Sequence, residues 1–290
     1  MEDRRHARLA TNELAGSGSC RRSRDPLLGL RGSPREPLPT RVDGLPDLPP
    51  AYDATLERGL EQLGLRLDGR QRAAIDMHVR LLRAWNAATN LTAIVEPAAV
   101  ATHHVLDSLT AVDALRRRSI AGLLDLGSGG GFPGIPLALT VPVRRALLVE
   151  SIGRKASFLS AAAGAVVTQM PGLRLEVVAD RAERLARDPE HRGRWPAVTA
   201  RAVASLGELI ELAFPLLDRG GCLVAWKRGD IDRELAAAAR AVAALGGGAL
   251  EVVDVGLPSL AGNRLVVATR TGAVPASYPR EPARRKRQPW

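Results

Sequence analysis

The chain has 290 residues, 46% hydrophobic and 25% charged, which leaves room for a full core in one large domain or two small ones. Its formal charge of +10 and pI near 10.9 favour a polyanionic partner such as nucleic acid, and with aromatic residues at only 3% the core has to be filled by Leu, Ala and Val. Cys20 and Cys222 are too few for a disulfide framework and fit a reducing cytoplasm, and no apolar run reaches the ~18 residues of a spanning helix, so neither export nor a membrane is expected.

Residues 1–50 mix Arg, Pro, Gly and Ser without a sustained period and are expected to be a disordered extension. Residues 51–119 read as a helical cap. In "QRAAIDMHVRLLRAWNAA", Ile75, Val79, Leu82 and Trp85 fall on one stripe, and Glu96-Pro97 starts a further helix with Val100, Val105, Leu109 and Val112 on its apolar face. Over 120–274 the texture changes to short apolar strands alternating with Ala-rich helices. Strands are expected at 122–127, 145–150, 175–180, 197–201, 222–227, 250–256 and 264–270, with helices near 153–168, 181–187, 206–217 and 230–245. The fold class is therefore α/β, an open, doubly wound and mostly parallel seven-stranded sheet. Its last two strands form an antiparallel hairpin that places one reversed strand at the edge. Residues 275–290, ending in "YPREPARRKRQPW", are basic and broken by proline, and read as a loose tail.

In such a sheet ligands bind beyond the carboxyl ends of the strands. The first strand runs into "LLDLGSGGGFPGIPL", where Gly127, Gly129 and Gly131 allow positive φ and close approach of a nucleotide-like ligand; a tight strand-to-helix turn without ligand is the plain alternative. The second ends in Glu150, about 20 residues beyond the loop, the spacing at which an acid accepts from both ribose hydroxyls. The third ends in "ADRAERL", where Asp180, Arg181 and Glu183 either edge an adenine pocket beside Ala182 or simply cap a helix. The fourth ends at Arg201, a cation for a carboxylate, a phosphate or a neighbouring acid. A nicotinamide dehydrogenase and a methyltransferase both put an adenosine ribose on a second-strand acid. Bulky Phe132 with Pro133, at the position where a pyrophosphate loop needs a small residue, argues against the dinucleotide.

Several stretches together resemble the small-subunit rRNA guanine-N7 methyltransferases, also called glucose-inhibited division protein B. They are "NLTAI" (90–94), "HHVLDSL" (103–109), "LLDLGSGGGFPGIPLAL" (123–139), "LVESIGRKASFL" (148–159), "DRAERL" (180–185), "VTARAVASL" (198–206), "LVAWKRG" (223–229) and the C-terminal "YPREPARRKRQPW". The match runs from about Tyr52 to the end and leaves out the first 50 residues. It implies a Rossmann-like class I methyltransferase that moves a methyl group from S-adenosylmethionine to N7 of a guanine in 16S rRNA near the decoding region. By the same resemblance, Gly127, Phe132, Glu150, Ala182, Glu183 and Arg201 are the cofactor contacts, with Gly129 and Gly131 further candidates in the loop. Glu150 stands where relatives often carry Asp, which keeps the carboxylate and lengthens it by one methylene.

Guanine N7 carries a lone pair and no proton at neutral pH, so attack on a sulfonium methyl needs alignment more than a general base, and no catalytic acid or base is assigned. Lys227 and Arg228 at the end of the fifth strand, and Arg284, Arg285, Lys286 and Arg287 in the tail, are candidate RNA contacts; the alternative for each group is a solvated basic cluster. Of His103 and His104, adjacent on a helix, at most one should face the cleft. No zinc-type Cys/His spacing occurs, so no metal is expected. The expected partner is 16S rRNA or the small ribosomal subunit in the cytoplasm, with no obligate protein partner, and the near alternative is a small-molecule methyltransferase on the same fold.

Overall fold

Seven strands in the order β3-β2-β1-β4-β5-β7-β6 organise the molecule, seen in a computed structural model that describes residues 37–290. They are β1 (Gly122–Leu126), β2 (Arg145–Val149), β3 (Arg174–Val178), β4 (Trp195–Arg201), β5 (Leu217–Arg228), β6 (Gly247–Asp254) and β7 (Asn263–Arg270). Strands β1 to β5 pair in parallel, and β7 runs antiparallel to both β5 and β6. The antiparallel pair closes one side of the sheet as the hairpin-length loop requires. Within that pair the reversed strand is β7, one place in from the rim, because it inserts between β5 and β6 and leaves β6 outermost.

Before the sheet come α1 (Pro50–Gln62) and α2 (Gly69–Thr89). A helical run follows in which α3 (Pro97–Val100) passes through a π-helical turn (Ala101–Leu106) into α4 (Asp107–Leu109), and then α5 (Val112–Arg116). Asp68 starts α2 through a capping box: its Oδ1 accepts from the amides of Arg70 and Gln71, while Gln71 Oε1 accepts from the Asp68 amide. The stripe Ile75, Val79, Leu82 and Trp85 is buried, as are Val100, Val105, Leu109 and Val112. Between the strands lie α6 (Gly134–Thr140), α7 (Gly153–Val166), α8 (Ala182–Leu185), α9 (Leu206–Ala213) and α10 (Asp232–Ala244). One apolar core joins the cap, α6 and α7 to one face of the sheet; a second packs α8, α9 and α10 on the other. β1 is buried on both faces, so its residues show no alternation of buried and exposed positions. No helix among the described residues is long and apolar enough to cross a membrane.

Both ends differ from expectation. Residues 1–36 of the expected disordered extension lie outside the described residues. Beyond them Leu38, Val42, Leu45 and Leu48 pack against the core, Trp85 Nε1 donates to the Pro39 carbonyl at 2.7 Å, and Arg80 Nε donates to the Pro46 carbonyl at 3.0 Å. Four aliphatic side chains spaced through a proline-rich stretch have no period, so their burial depends on the groove that α2 provides.

The C-terminal tail is likewise no loose arm where it carries its basic run, which forms α11 (Pro282–Arg287). Arg280 Nη2 pairs with Glu211 Oε2 at 2.5 Å, the same oxygen accepts from Trp290 Nε1 at 2.7 Å, and Glu211 itself is 0% exposed. A buried carboxylate on α9 has to be paired, and the tail supplies its cation.

Candidate active site

The order of strands reverses between β1 and β4, the place where an open α/β sheet leaves a crevice at its carboxyl edge. Two adjoining cavities lie there. One, about 370 Å³, runs along the ends of β1, β2 and β3 and is lined by Gly127, Val149, Ser151, Asp180, Ala182 and Glu183, among others. The other, about 780 Å³, opens beside the π-helical turn and is lined by His103, Asp107, Arg201, Trp226, Arg228 and Asn263, among others. The segment after β4 separates them: Arg201 and Ala202 face the larger, Val203 and Ala204 the smaller. Ala202 holds φ +56°, an unusual conformation for a residue with a Cβ, and the neighbours at both ends pin it there. Arg201 Nη1 donates to the His103 carbonyl (2.9 Å) and to Asp107 Oδ2 (2.6 Å), while Lys227 Nζ donates to the Ala204 carbonyl (3.0 Å).

The glycine loop has two different reasons for its composition. Gly129 (φ +53°) is uncrowded, since a Cβ there would meet only the Gly127 carbonyl oxygen at 3.8 Å, and its positive φ is what favours glycine. Gly131 (φ +87°) is crowded: a Cβ there would meet His78 Nε2 at 2.6 Å and Ile135 Cδ1 at 2.7 Å. Close packing against the cap, rather than a ligand, accounts for that position. Glu150 fastens the open part of the loop, its Oε2 accepting from the Gly129 amide at 3.0 Å and its Oε1 from the Ile152 amide at 2.8 Å. Each carboxylate oxygen keeps a further lone pair for another donor. Phe132 is buried, its ring between those of His78 (4.5 Å) and His104 (4.8 Å, stacked), so the side chain belongs to the joint between loop and cap.

Of the residues singled out in the sequence, Gly127, Ala182 and Glu183 line the smaller cavity, with Glu150 between two residues that do. Arg201 lines the larger one instead. Glu183 lies on the cavity wall already paired with Arg285, which also donates to Glu208 Oε1 at 3.0 Å. The Arg285 partnership holds the Glu183 carboxyl below its usual range against the opposing effect of burial. This corrects the reading of Arg285 as an RNA contact: it is buried between two acids, whereas Arg284, Lys286 and Arg287 are exposed. Lys227 is corrected too, since its ammonium sits against Glu234 Oε2 at 2.6 Å and the Ala204 carbonyl, leaving Arg228 as the exposed cation there. In both cases the acid is distant in sequence or on another element, which a local reading of charge runs does not register.

His103 is exposed and His104 buried, as adjacency on a helix demands. Burial pushes His78 down to about 4, and burial with the nearby Arg201 charge pushes His104 down to about 3. Under the loop, Asp125 accepts from Thr199 Oγ1 at 2.7 Å, and burial raises its carboxyl to about 6. The sign follows by linkage. Each histidine binds a proton more readily unfolded than folded, so stability is full above about pH 6.5 and is lost on acidification through the folded values; Asp125 works the other way between about 3.8 and 6. Two histidines outweigh one aspartate, so the unfolding free energy should fall by on the order of 3 kcal/mol between pH 6.5 and 4. Urea unfolding at the two pH values checks this, and equal or greater stability at pH 4 would contradict it.

Asp107 and Asn263 are the site residues that local reading missed. Asp107 stood inside "HHVLDSL", but nothing local distinguishes it from an ordinary helix acid. It is buried, with Oδ2 on Arg201 and Oδ1 accepting from Asn263 Nδ2 at 3.0 Å.

Comparison with known proteins decides the family. The model for "GidB: rRNA small subunit methyltransferase G" matches residues 71–261. The chain belongs to the rRNA small subunit methyltransferase G family. A ribosomal RNA small subunit methyltransferase G from Roseiflexus castenholzii is 42% identical over 221 residues, covering 75% of this chain and 91% of that protein. One from Pelotomaculum thermopropionicum is 37% identical over 236 residues, covering 81% and 97%. Among solved structures, an O-methyltransferase from Bacillus cereus in complex with SAH aligns with TM-score 0.48 at 13% identity, over 76% of this chain and all (100%) of that one. The Trm1 structure from Pyrococcus horikoshii with S-adenosyl-L-methionine aligns with TM-score 0.47 at 17% identity, over 58% and 55%. As a member of the rRNA small subunit methyltransferase G family, the chain is an S-adenosylmethionine-dependent methyltransferase. The uncrowded Gly129 backbone, the lone pairs left on Glu150 and the small cavity along three strand ends fit such a cofactor.

Proposed function

We propose that this methyltransferase modifies N7 of a guanine in 16S rRNA near the decoding region, in the cytoplasm, on the rRNA or the small subunit. The observation that carries the reading is the pair of cavities divided by residues 201–204, one against the glycine loop and one bordered by Arg201, Arg228 and polar groups. Such a pair seats a nucleoside-like cofactor and a second base on either side of one wall. The bound cofactor would supply an electrophilic methyl on a sulfonium. Gly127 and the Gly129 amide would line its approach, with Gly131 shaping the loop from behind and Phe132 anchoring it to the cap. Glu150 would accept from the ribose hydroxyls, and Ala182 and Glu183 would border the adenine. Arg201 would stand at the junction of the two cavities. Arg228, Arg284, Lys286 and Arg287, all exposed, would meet phosphates without reading sequence. No residue need take a proton from N7, so the protein's contribution is alignment and exclusion of water.

Borohydride and aniline cleavage of 16S rRNA from cells with and without the protein tests this. One guanine should be cleaved only when the protein is present. An identical pattern in both would overturn the assignment and favour a small-molecule substrate.

A further inference from the structure

We infer that Arg201, Asp107 and Asn263 form a guanine-reading edge inside the larger cavity, with the base held by its O6, N1 and N2 edge and N7 left uncovered. The inference rests on the function proposed above and assigns that site's base specificity.

The three side chains stand in a row leading away from the cofactor loop. The Arg201 guanidinium lies 5.8 Å from the Phe132 ring centroid. Its Nη1 reaches Asp107 Oδ2 at 2.6 Å, and Asp107 Oδ1 accepts from Asn263 Nδ2 at 3.0 Å. All three line the same cavity. They are held from behind: Trp226 Nε1 donates to the Asp107 carbonyl at 2.8 Å, and Arg201 Nη1 to that of His103.

What the row still offers can be counted. Among the described residues Arg201 uses only Nη1, so Nε and Nη2 remain donors. Each Asp107 oxygen accepts from one side chain and retains a lone pair, and Asn263 has a free carbonyl oxygen. From Arg201 outward the row therefore presents a donor, an acceptor and an amide whose oxygen accepts and whose second Nδ2 hydrogen also stays available. From N7 outward guanine presents O6, N1–H and N2–H₂, which is an acceptor, a donor and a donor. The two sequences are complementary in the same direction, with N7 left at the loop end where the methyl has to arrive. Adenine in that pose would set its amino group against the guanidinium and its unprotonated N1 against a carboxylate, two mismatches at buried polar groups. The arginine and aspartate also neutralise one another, so a neutral base meets no net charge there.

The experiment uses small subunits reconstituted with 16S rRNA carrying either guanine or inosine, which lacks the 2-amino group, at the position mapped by aniline cleavage. The wild-type chain should methylate the guanine subunits at least ~10-fold faster in kcat/KM than the inosine subunits, the loss typical of one hydrogen bond to a buried acceptor. Asn263→Ala should slow reaction on guanine and bring that ratio to within about 2-fold of unity. Asp107→Asn should reduce kcat/KM on guanine by ~30-fold or more. Calorimetry with S-adenosylhomocysteine reports in each case whether the variant is folded and still binds cofactor. A wild-type ratio near one, or an Asn263→Ala variant that binds cofactor and keeps the wild-type ratio, overturns the inference. Absence of any N7 methylation by the wild-type chain instead overturns the proposed function, and this reading of the cavity falls with it.

Discussion

Replacing Glu150 by alanine is expected to lower affinity for S-adenosylhomocysteine by ~100-fold or more, two hydrogen bonds to a carboxylate being worth about 1.5–3 kcal/mol each. Glu150 sits at the end of β2 with one oxygen on the Gly129 amide and the other on the Ile152 amide. Alanine therefore removes the proposed ribose acceptor and also the staple that fixes the open part of the glycine loop. Gln should not rescue it, because one carboxamide position turns an acceptor into a donor facing an N–H. Asp should rescue in part: the charge is kept, but a chain one methylene shorter has to give up one amide to hold the other. Calorimetric titration of the three variants checks the order wild type, Asp, then Gln and Ala. An alanine variant with affinity within about 3-fold of wild type would remove Glu150 from the binding site.

The second large effect lies at the C-terminal tail, which borders the same smaller cavity. Glu211→Ala should release the C-terminal tail, since breaking a buried ion pair by removing one partner typically costs about 3–5 kcal/mol. Glu211 is fully buried and accepts from Arg280 at its amide, Nε and Nη2 and from Trp290 Nε1. The tail is terminal, so Arg280 can escape to water by undocking, and the cost appears as local opening more than global unfolding. An opening equilibrium shifted by roughly two to three orders of magnitude should make trypsin cut within 280–287 long before the sheet is touched. Cofactor affinity should fall as well, because Pro282 and Arg285 form part of the smaller cavity and Arg285 pairs with Glu183. Unchanged cleavage rates at these arginines would show that the tail is held by something else.

Much of this chain was legible locally. The inner strands β1, β2, β4, β5 and β7 follow from largely apolar runs, since a strand buried on both faces has few other ways to be written, while the rim strands β3 and β6, which have no buried residue, follow from short β-branched runs. The glycine loop and Glu150 were legible for the same kind of reason: a strand end, its turn and an acid about 20 residues later form one contiguous unit of the fold. Gly131 was legible as a glycine but not in its cause, because His78 comes from a helix 53 positions earlier and only packing brings it within reach of that backbone.

Periodicity and short-range spacing were enough to read the sheet, the cap and the family motifs. What the charges do depends on the packed fold. Arg285 and Lys227 belong to basic clusters in the sequence, yet they are withdrawn from solvent by Glu183, Glu208 and Glu234, while Arg228 and Arg284 remain exposed. Asp107 gains its partners only when Arg201 and Asn263, 94 and 156 positions away, close on it. Coulombic and hydrogen-bond partners are chosen by distance in space and by burial, and neither is encoded in the order of neighbouring residues.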